Sequence, residues 1–232
     1  MILNRAEFDQ FADEYYSHHA RNISLTGESP EYFSEYKIKD IYAECIYNSI
    51  DVSNVIDFGS GIGNSIPFFR KYFADADLHC ADVSSRSIEI ASDRYPGKEK
   101  YLLVGERSIP AEDDTYDIAF SACVFHHIDH AEHARWMAEL RRVVRPGGAL
   151  FIFEHNPFNP LTVRAVNTCP FDVNARLIAP GRFRDTAAAA GWKDIALRYR
   201  IYFPHALRVL RPMERYLTRV PLGAQYYLMA RT

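Results

Sequence analysis

No secretion signal is expected between Met1 and Ala20, a stretch that lacks a long apolar run. Arg5, Glu7, Asp9, Asp13 and Glu14 interrupt every apolar stretch between Met1 and Ala20, whereas a signal peptide needs an unbroken apolar core. Nor does any later stretch approach the roughly 20 apolar residues of a membrane-spanning helix, so the expectation is a soluble, cytoplasmic protein. Cysteine is sparse: Cys45, Cys80, Cys123 and Cys169 are scattered without a C-x-x-C pair, which argues against a disulfide framework or a structural zinc and for reduced, buried thiols. A surplus of basic charge is also missing. Lysine and arginine number 27 against 30 acidic residues, a formal net charge of -3, so no global field exists to hold a phosphate backbone and nucleic acid is not an expected partner. Finally, no H-E-x-x-H occurs. His126 and His130 have helical i to i+4 spacing, with His133 and Asp129 close by, but Asp129 is expected to cap the next helix and no metal is expected.

What is present is enough for one core. At 232 residues with 48% hydrophobic content, a single domain over 1–232 is expected. From about Ser53, short β-rich runs alternate with helix-length segments. Asn54 to Phe58, Asp77 to Ala81, Tyr101 to Val104, Tyr116 to Ser121 and Ala149 to Glu154 read as strands; Ser65 to Phe73, Ser85 to Tyr95 and Ala131 to Val144 read as helices. This repetition predicts an α/β fold, a mostly parallel sheet covered by helices. Before it, Phe8 to Tyr16 and Tyr32 to Ile50 show helical spacing and form an expected lid (1–50) over a core (51–155). Beyond it (156–232), Asn156-Pro157-Phe158-Asn159-Pro160 breaks the last strand, a helix over Arg182 to Ala190 ends at Gly191, and β-rich runs follow at Asp194 to Phe203 and Ala224 to Ala230.

The sharpest motif is Val55-Ile56-Asp57-Phe58-Gly59-Ser60-Gly61-Ile62-Gly63, an apolar strand running into a glycine turn that opens a helix. Glycines there take positive φ and let a ligand approach the backbone. A nicotinamide-dinucleotide site would require G-x-G-x-x-G, and Asn64 stands where the third glycine belongs. Asp82 closes the next β-run, roughly 20 residues on, where a carboxylate can accept both hydroxyls of a ribose; Ser84 or Ser85 is the better cap for the helix behind it. Leu103-Val104-Gly105-Glu106-Arg107-Ser108-Ile109-Pro110 and Asp113 to Phe120 come next, then Ser121 to Ile128, and then Leu140-Arg141-Arg142-Val143-Val144-Arg145-Pro146-Gly147-Gly148.

In this order the motifs resemble class I S-adenosylmethionine-dependent methyltransferases of the small-molecule type, continuously from Asn54 to Glu154. The resemblance implies a Rossmann-like seven-stranded sheet, with Ala224 to Ala230 as an antiparallel strand near one edge and Pro146 with its two glycines ending a helix. It implies S-adenosylmethionine as cofactor and S-adenosylhomocysteine as product. Asp57, Gly59, Ser60 and Gly61 would line the methionine end, Asp82 and Val83 the ribose, Glu106 and the Arg107 backbone the adenine, with Ser121 completing the cofactor set. Glu106-Arg107 departs from the family's usual Asp-Ala pair.

On the acceptor side, His127 and His155 are the catalytic candidates, since a neutral imidazole can take a proton from a hydroxyl, phenol or amine as the methyl transfers. Tyr15, Tyr36, His126 and Asn156 are candidates for holding the acceptor. Phe8-Asp9-Gln10-Phe11-Ala12-Asp13-Glu14-Tyr15-Tyr16 resembles the helix that closes over such sites. Arg198, Arg200, Arg208, Arg211, Arg215 and Arg219 lie among apolar residues, a pattern compatible with an anionic ligand, peripheral contact with an anionic membrane, or a solvated face. The function expected is methyl transfer to a small-molecule acceptor, most naturally at oxygen or nitrogen. A non-catalytic cofactor-binding partner protein is the alternative from another class, and an NAD-dependent dehydrogenase a third reading. A nucleic-acid base methylator would carry D/N-P-P-Y/F/W after the fourth strand, where Ser121-Ala122-Cys123-Val124 stands instead.

Overall fold

The computed structural model describes residues 27–169, 172 and 174–232; the expected helix Phe8 to Tyr16, and Tyr15 with it, lies outside them. In chain order the elements are α1 (Pro30–Tyr47), β1 (Asn54–Phe58), α2 (Ile66–Tyr72), β2 (Asp77–Asp82), α3 (Ser85–Arg94), β3 (Lys100–Leu103) and β4 (Tyr116–Ala122). A 3-10 turn (Phe125–His127) leads to α4 (His133–Val143), β5 (Val144–His155), α5 (Pro160–Asn167), α6 (Pro180–Ala189) and β6 (Lys193–Arg200). A second 3-10 segment (His205–Met213), α7 (Glu214–Leu217) and β7 (Gln225–Arg231) complete the chain.

The seven strands form one sheet in the order β3-β2-β1-β4-β5-β7-β6. β7 runs antiparallel to both β5 and β6, and the pairs among β1 to β5 are parallel. Central strands buried on both faces need apolar residues throughout, which is why β1, β4 and β5 read as hydrophobic runs rather than alternations. Along β5, Leu150 and Ile152 face a core shared with Trp136, Leu140, Phe183 and Tyr226. Ala149, Phe151 and Phe153 face the other, with Ile38, Ile41, Phe69 and Phe120. Helices α4 and α6 therefore cover one face, and α1, α2 and α3 the other.

Local chemistry sets several boundaries. The Ser84 side chain caps α3 by accepting from Ser87 N at 3.0 Å, and Gly191 follows α6 at φ +91°. Asp129 is not the cap of α4: its carboxylate closes a turn earlier, on Ala131 N at 3.0 Å, and Glu132 holds the cap position. Helix α4 stops at Val143, ahead of the Arg145-Pro146-Gly147-Gly148 segment, which lies inside β5 where the pairing with β4 slips between Tyr116 and Ile118. The residue preceding a proline is driven toward extended geometry, so the helix ends before that point. Helix α5 was not anticipated. The segment Asn156 to Pro160 ends the strand as expected, β5 stopping at His155, and Pro160 also serves as the first-turn residue of the helix, with the Asn159 carboxamide oxygen accepting from Leu161 N and Thr162 N, each at 3.0 Å.

Two buried acids tie the sheet to its surroundings. Asp117 on β4 accepts Ser53 N at 2.5 Å and Asn54 N at 2.7 Å through one oxygen and pairs with Arg145 through the other. Asp57 on β1 accepts the Ser65 hydroxyl at the start of α2. Burial pushes the Asp57 pKa up to about 7; the Ser65 hydrogen bond opposes the rise and the nearby Asp82 carboxylate adds to it.

Asp117→Ala leaves two backbone donors and one guanidinium without their acceptor, and should lower stability by about 2–4 kcal/mol in urea unfolding. For Asp57 the folded pKa lies above the ordinary value of 3.8, so the fold favours the protonated carboxyl. That contribution is complete below about pH 4 and is lost as pH rises toward 7. Asp57→Asn should remove this dependence: its stability relative to wild type is expected to climb between pH 4 and 7, and parallel curves across that range would refute the assignment.

Candidate active site

The carboxyl ends of β1, β2, β4 and β5 converge on one region, the place where parallel α/β sheets bind ligands. Gly59 leaves β1 at φ +78°, and a β-carbon there would sit 2.3 Å from Val124 Cγ2. Gly61 turns at φ +51° with nothing within 4 Å of its missing β-carbon. The loop is thus pressed against the exit of β4 on one side and open on the other. Gly59 N and Ser60 N both donate to Ala81 O, at 2.7 and 3.2 Å. Asp82 pins the glycine loop to the start of the next helix, one carboxylate oxygen accepting Gly61 N at 2.8 Å and the other Ser84 N at 2.8 Å.

Two buried hydroxyls in this region, Ser60 Oγ and Ser121 Oγ, have no hydrogen-bonding partner among the described residues. Buried polar atoms are nearly always satisfied, and a polar ligand over the glycine loop would satisfy these. Val83 is half-buried against the core. Gly105, Glu106 and Arg107 form an exposed loop beyond β3, closed by Gly105 N to Ser108 O at 3.1 Å and by Arg135 donating to Glu106 O at 3.1 Å. A ring could stack along this rim, while Asp57, Gly59, Ser60, Gly61, Asp82 and Ser121 form the interior. The residues present fit an adenosyl cofactor bearing a ribose diol and a polar amino-acid tail.

Facing this cradle is a histidine cluster. Cys123 leaves β4 in the left-handed region at φ +58°, its N–H donating to Phe153 O at 2.8 Å, and this reversal throws the Phe125–His127 turn over the end of β5. Glu154, fully buried at that end, accepts Phe125 N at 2.8 Å and meets His126 Nδ1 at 2.6 Å. The His126 ring lies 4.2 Å from His127 and 5.3 Å from His155, centroid to centroid. His126 Nε2 and His127 Nε2 lie 3.5 and 3.6 Å from the same Asp172 oxygen.

The electrostatics follow from this packing. Burial disfavours the His126 imidazolium, but the Glu154 and Asp172 carboxylates outweigh it and hold its pKa well above the ordinary value. Burial next to that charge pushes His127 down to about 3 and His155 down to about 4. Burial alone would raise Glu154 and Asp172, yet their histidine partners hold both below the usual carboxylate range.

Other expected site residues are otherwise engaged. Asn156 is fully buried; its amide nitrogen donates to Gly223 O at 2.7 Å and Pro221 O at 3.2 Å, and its oxygen accepts Phe158 N at 3.1 Å. It staples the corner after β5 to the start of β7 and is not available to position an acceptor. Tyr36, from α1, is buried with its hydroxyl on Gln225, at the margin of the same region. His133 is a core residue whose Nε2 lies 2.8 Å from Phe125 O. Among the arginines, Arg200 pairs with Asp40 at 2.6 Å, and Arg211 binds Glu28 and stacks over Tyr32, so these two are structural. Sequence reasoning missed Asp172 and the orienting role of Glu154. Neither has a local spacing signal, because both meet the histidines only through the fold.

A family model described as a methyltransferase domain matches residues 56–152, from β1 to within β5. The methyltransferase GfsG of Streptomyces halstedii is 29% identical over 117 residues, covering 47% of this chain and 41% of that protein. A ubiquinone/menaquinone biosynthesis C-methyltransferase, UbiE of a Marinomonas species, is 24% identical over 106 residues, covering 43% and 41%. The matches thus span about two fifths of the length of these relatives. Among solved structures, a Thermotoga maritima S-adenosylmethionine-dependent methyltransferase, described as a possible histamine N-methyltransferase, superposes with a TM-score of 0.67 at 16% identity over 98% of both chains. That likeness bears on the fold, and it extends through β6 and β7 beyond the part the family model matches. The strand order is that of this methyltransferase fold, and the stretch from β1 to within β5, with its glycine loop and the acid closing β2, is similar to a methyltransferase domain.

Proposed function

We propose that the chain transfers a methyl group from S-adenosylmethionine to the oxygen or nitrogen of a small-molecule acceptor. The observation that carries this reading is the pair of partnerless buried hydroxyls, Ser60 and Ser121, beside the open glycine loop. When bound, the cofactor supplies a methyl group on a sulfonium, which a lone pair can displace directly without a covalent enzyme intermediate. The protein's part is then alignment and proton handling.

Asp82 receives the ribose hydroxyls while holding Gly61, and Val83, Glu106 and the Arg107 backbone border the adenine. The acceptor lies between the cradle and the histidines, bounded by Tyr36 and by the His126 imidazole that Glu154 fixes in place. His127 and His155 are the catalytic residues of this reading. An imidazole there takes the proton that a hydroxyl or amine gives up, a contribution of about 10²–10⁴ in rate, and alignment of the reacting atoms supplies more. Peripheral contact with an anionic membrane belongs to the same reading. It is supported by exposed Leu207, Val209, Met213 and Tyr216 interleaved with exposed Arg208 and Arg215, and by a matched relative that works in quinone biosynthesis.

Calorimetric titration with S-adenosylmethionine, S-adenosylhomocysteine and NAD tests the cofactor: the first two should bind and NAD should not, and NAD binding alone would recast the chain as a dehydrogenase. Asp82→Ala should weaken S-adenosylmethionine binding by about 10- to 100-fold, the loss of charged hydrogen bonds to a diol; unchanged affinity would refute the ribose assignment. His155→Ala should lower kcat by about 10²-fold or more while cofactor affinity stays within about twofold. Full turnover in that variant would remove His155 from the catalytic residues.

A further inference from the structure

We propose that His126, His127 and Asp172 form a binding site for a divalent transition-metal ion of the zinc class, with a coordination position left for the acceptor. The three donor atoms all lie within 4.8 Å of one another. Two of the separations fit that reading. His126 Nε2 and His127 Nε2 stand 3.5 and 3.6 Å from one Asp172 oxygen, longer than the roughly 2.7–3.2 Å of a well-formed N–H···O bond. Ligands placed about 2.0–2.2 Å from one tetrahedral ion are separated by about 3.3–3.6 Å. The cluster is therefore spaced as ligands around an ion would be, more than as a set of hydrogen bonds.

The orientation of His126 agrees. Its Nδ1 meets Glu154 at 2.6 Å, and the other Glu154 oxygen is fixed by Phe125 N at 2.8 Å, so Nε2 points away from β5 and toward Asp172. A carboxylate behind a histidine is the usual support of a metal-ligating imidazole, fixing its tautomer and its ring plane. Two nitrogens and one carboxylate oxygen form a donor set suited to zinc, and three protein ligands leave the fourth position that catalytic sites keep open. Glu154 and Asp172 place two carboxylates around the site, while the buried ammonium nearest Glu154, that of Lys37, donates to Phe33 O at 2.8 Å.

This inference rests on reading the pocket as the acceptor side, and it narrows the acceptor class to molecules with an oxygen donor, a hydroxyl or phenol. Such an oxygen binds the ion, its proton passes to His155, and an oxygen lone pair takes the methyl group as the sulfur–carbon bond breaks with its electrons on sulfur. The ion changes neither charge nor oxidation state. His127 then acts on the acceptor through the ion, and His155, outside the triad, keeps the role of base.

The test is calorimetric titration of chelator-treated full-length protein with Zn²⁺, alongside the visible absorption of the Co²⁺-loaded form. One ion per chain should bind, with the absorption of a low-coordinate site. His127→Ala and Asp172→Asn should each weaken Zn²⁺ binding at least tenfold, and Glu154→Gln by about 10- to 100-fold, while His155→Ala leaves it within about twofold. Should His127→Ala fail to fold, Asp172→Asn, a conservative change at a turn, carries the test. No Zn²⁺ binding by the wild type, or equal binding by the Asp172→Asn variant, overturns the site. S-adenosylmethionine titration of the same preparation separates the two readings: intact cofactor binding without Zn²⁺ binding removes only the metal site, whereas lost cofactor binding removes the proposed function.

Discussion

A carboxylate fully enclosed at the end of an interior strand sets the terms for one whole end of this fold. Glu154 sits on β5 between two apolar cores, where an unpaired charge would cost several kcal/mol. It is tolerated because a backbone N–H and an imidazole meet its two oxygens. Satisfying Glu154 in this way dictates where the segment after β4 must go. The left-handed turn at Cys123, the short 3-10 turn and the position of His126 all follow from bringing those donors to that carboxylate. His127 and His155 are held low first by their own burial and then by the charge of His126, while the histidines hold Asp172 low against its burial.

At the neighbouring cradle a second carboxylate plays the corresponding part under different conditions. Asp82 holds two backbone N–H groups, one on each side of the crevice between the first two strands. The contrast has chemical content. Glu154 is enclosed and orients a side chain, whereas Asp82 is held by backbone donors that tie two loops together. Gly59, with no room for a β-carbon beneath Val124, couples the two ends, since the cradle loop and the exit of β4 are in direct contact. A displacement of either would be felt by the other.

Legibility in the sequence followed the range of the interactions. Asp57, Gly59, Gly61 and Asp82 could be read because backbone geometry and ligand approach impose residue types at fixed local spacing. The strands could be read because parallel strands covered on both faces must be apolar throughout. The Asn156 to Pro160 segment was legible as the end of the strand but not as the start of a helix, since that depends on the capping by Asn159. Asn156 misled for a related reason: an asparagine beside a site looks available until its amide is found committed to the chain entering β7.

By itself the sequence determined the α/β class, the order of the motifs, and the cofactor they resemble, because each of these rests on contacts between residues near one another in the chain. Only the tertiary structure decided which histidine is oriented by Glu154, that Asp172 joins His126 and His127, and that Asn156 belongs to the scaffold. Those outcomes depend on which distant segments are packed together and on the desolvation that packing imposes, and neither is encoded in local spacing.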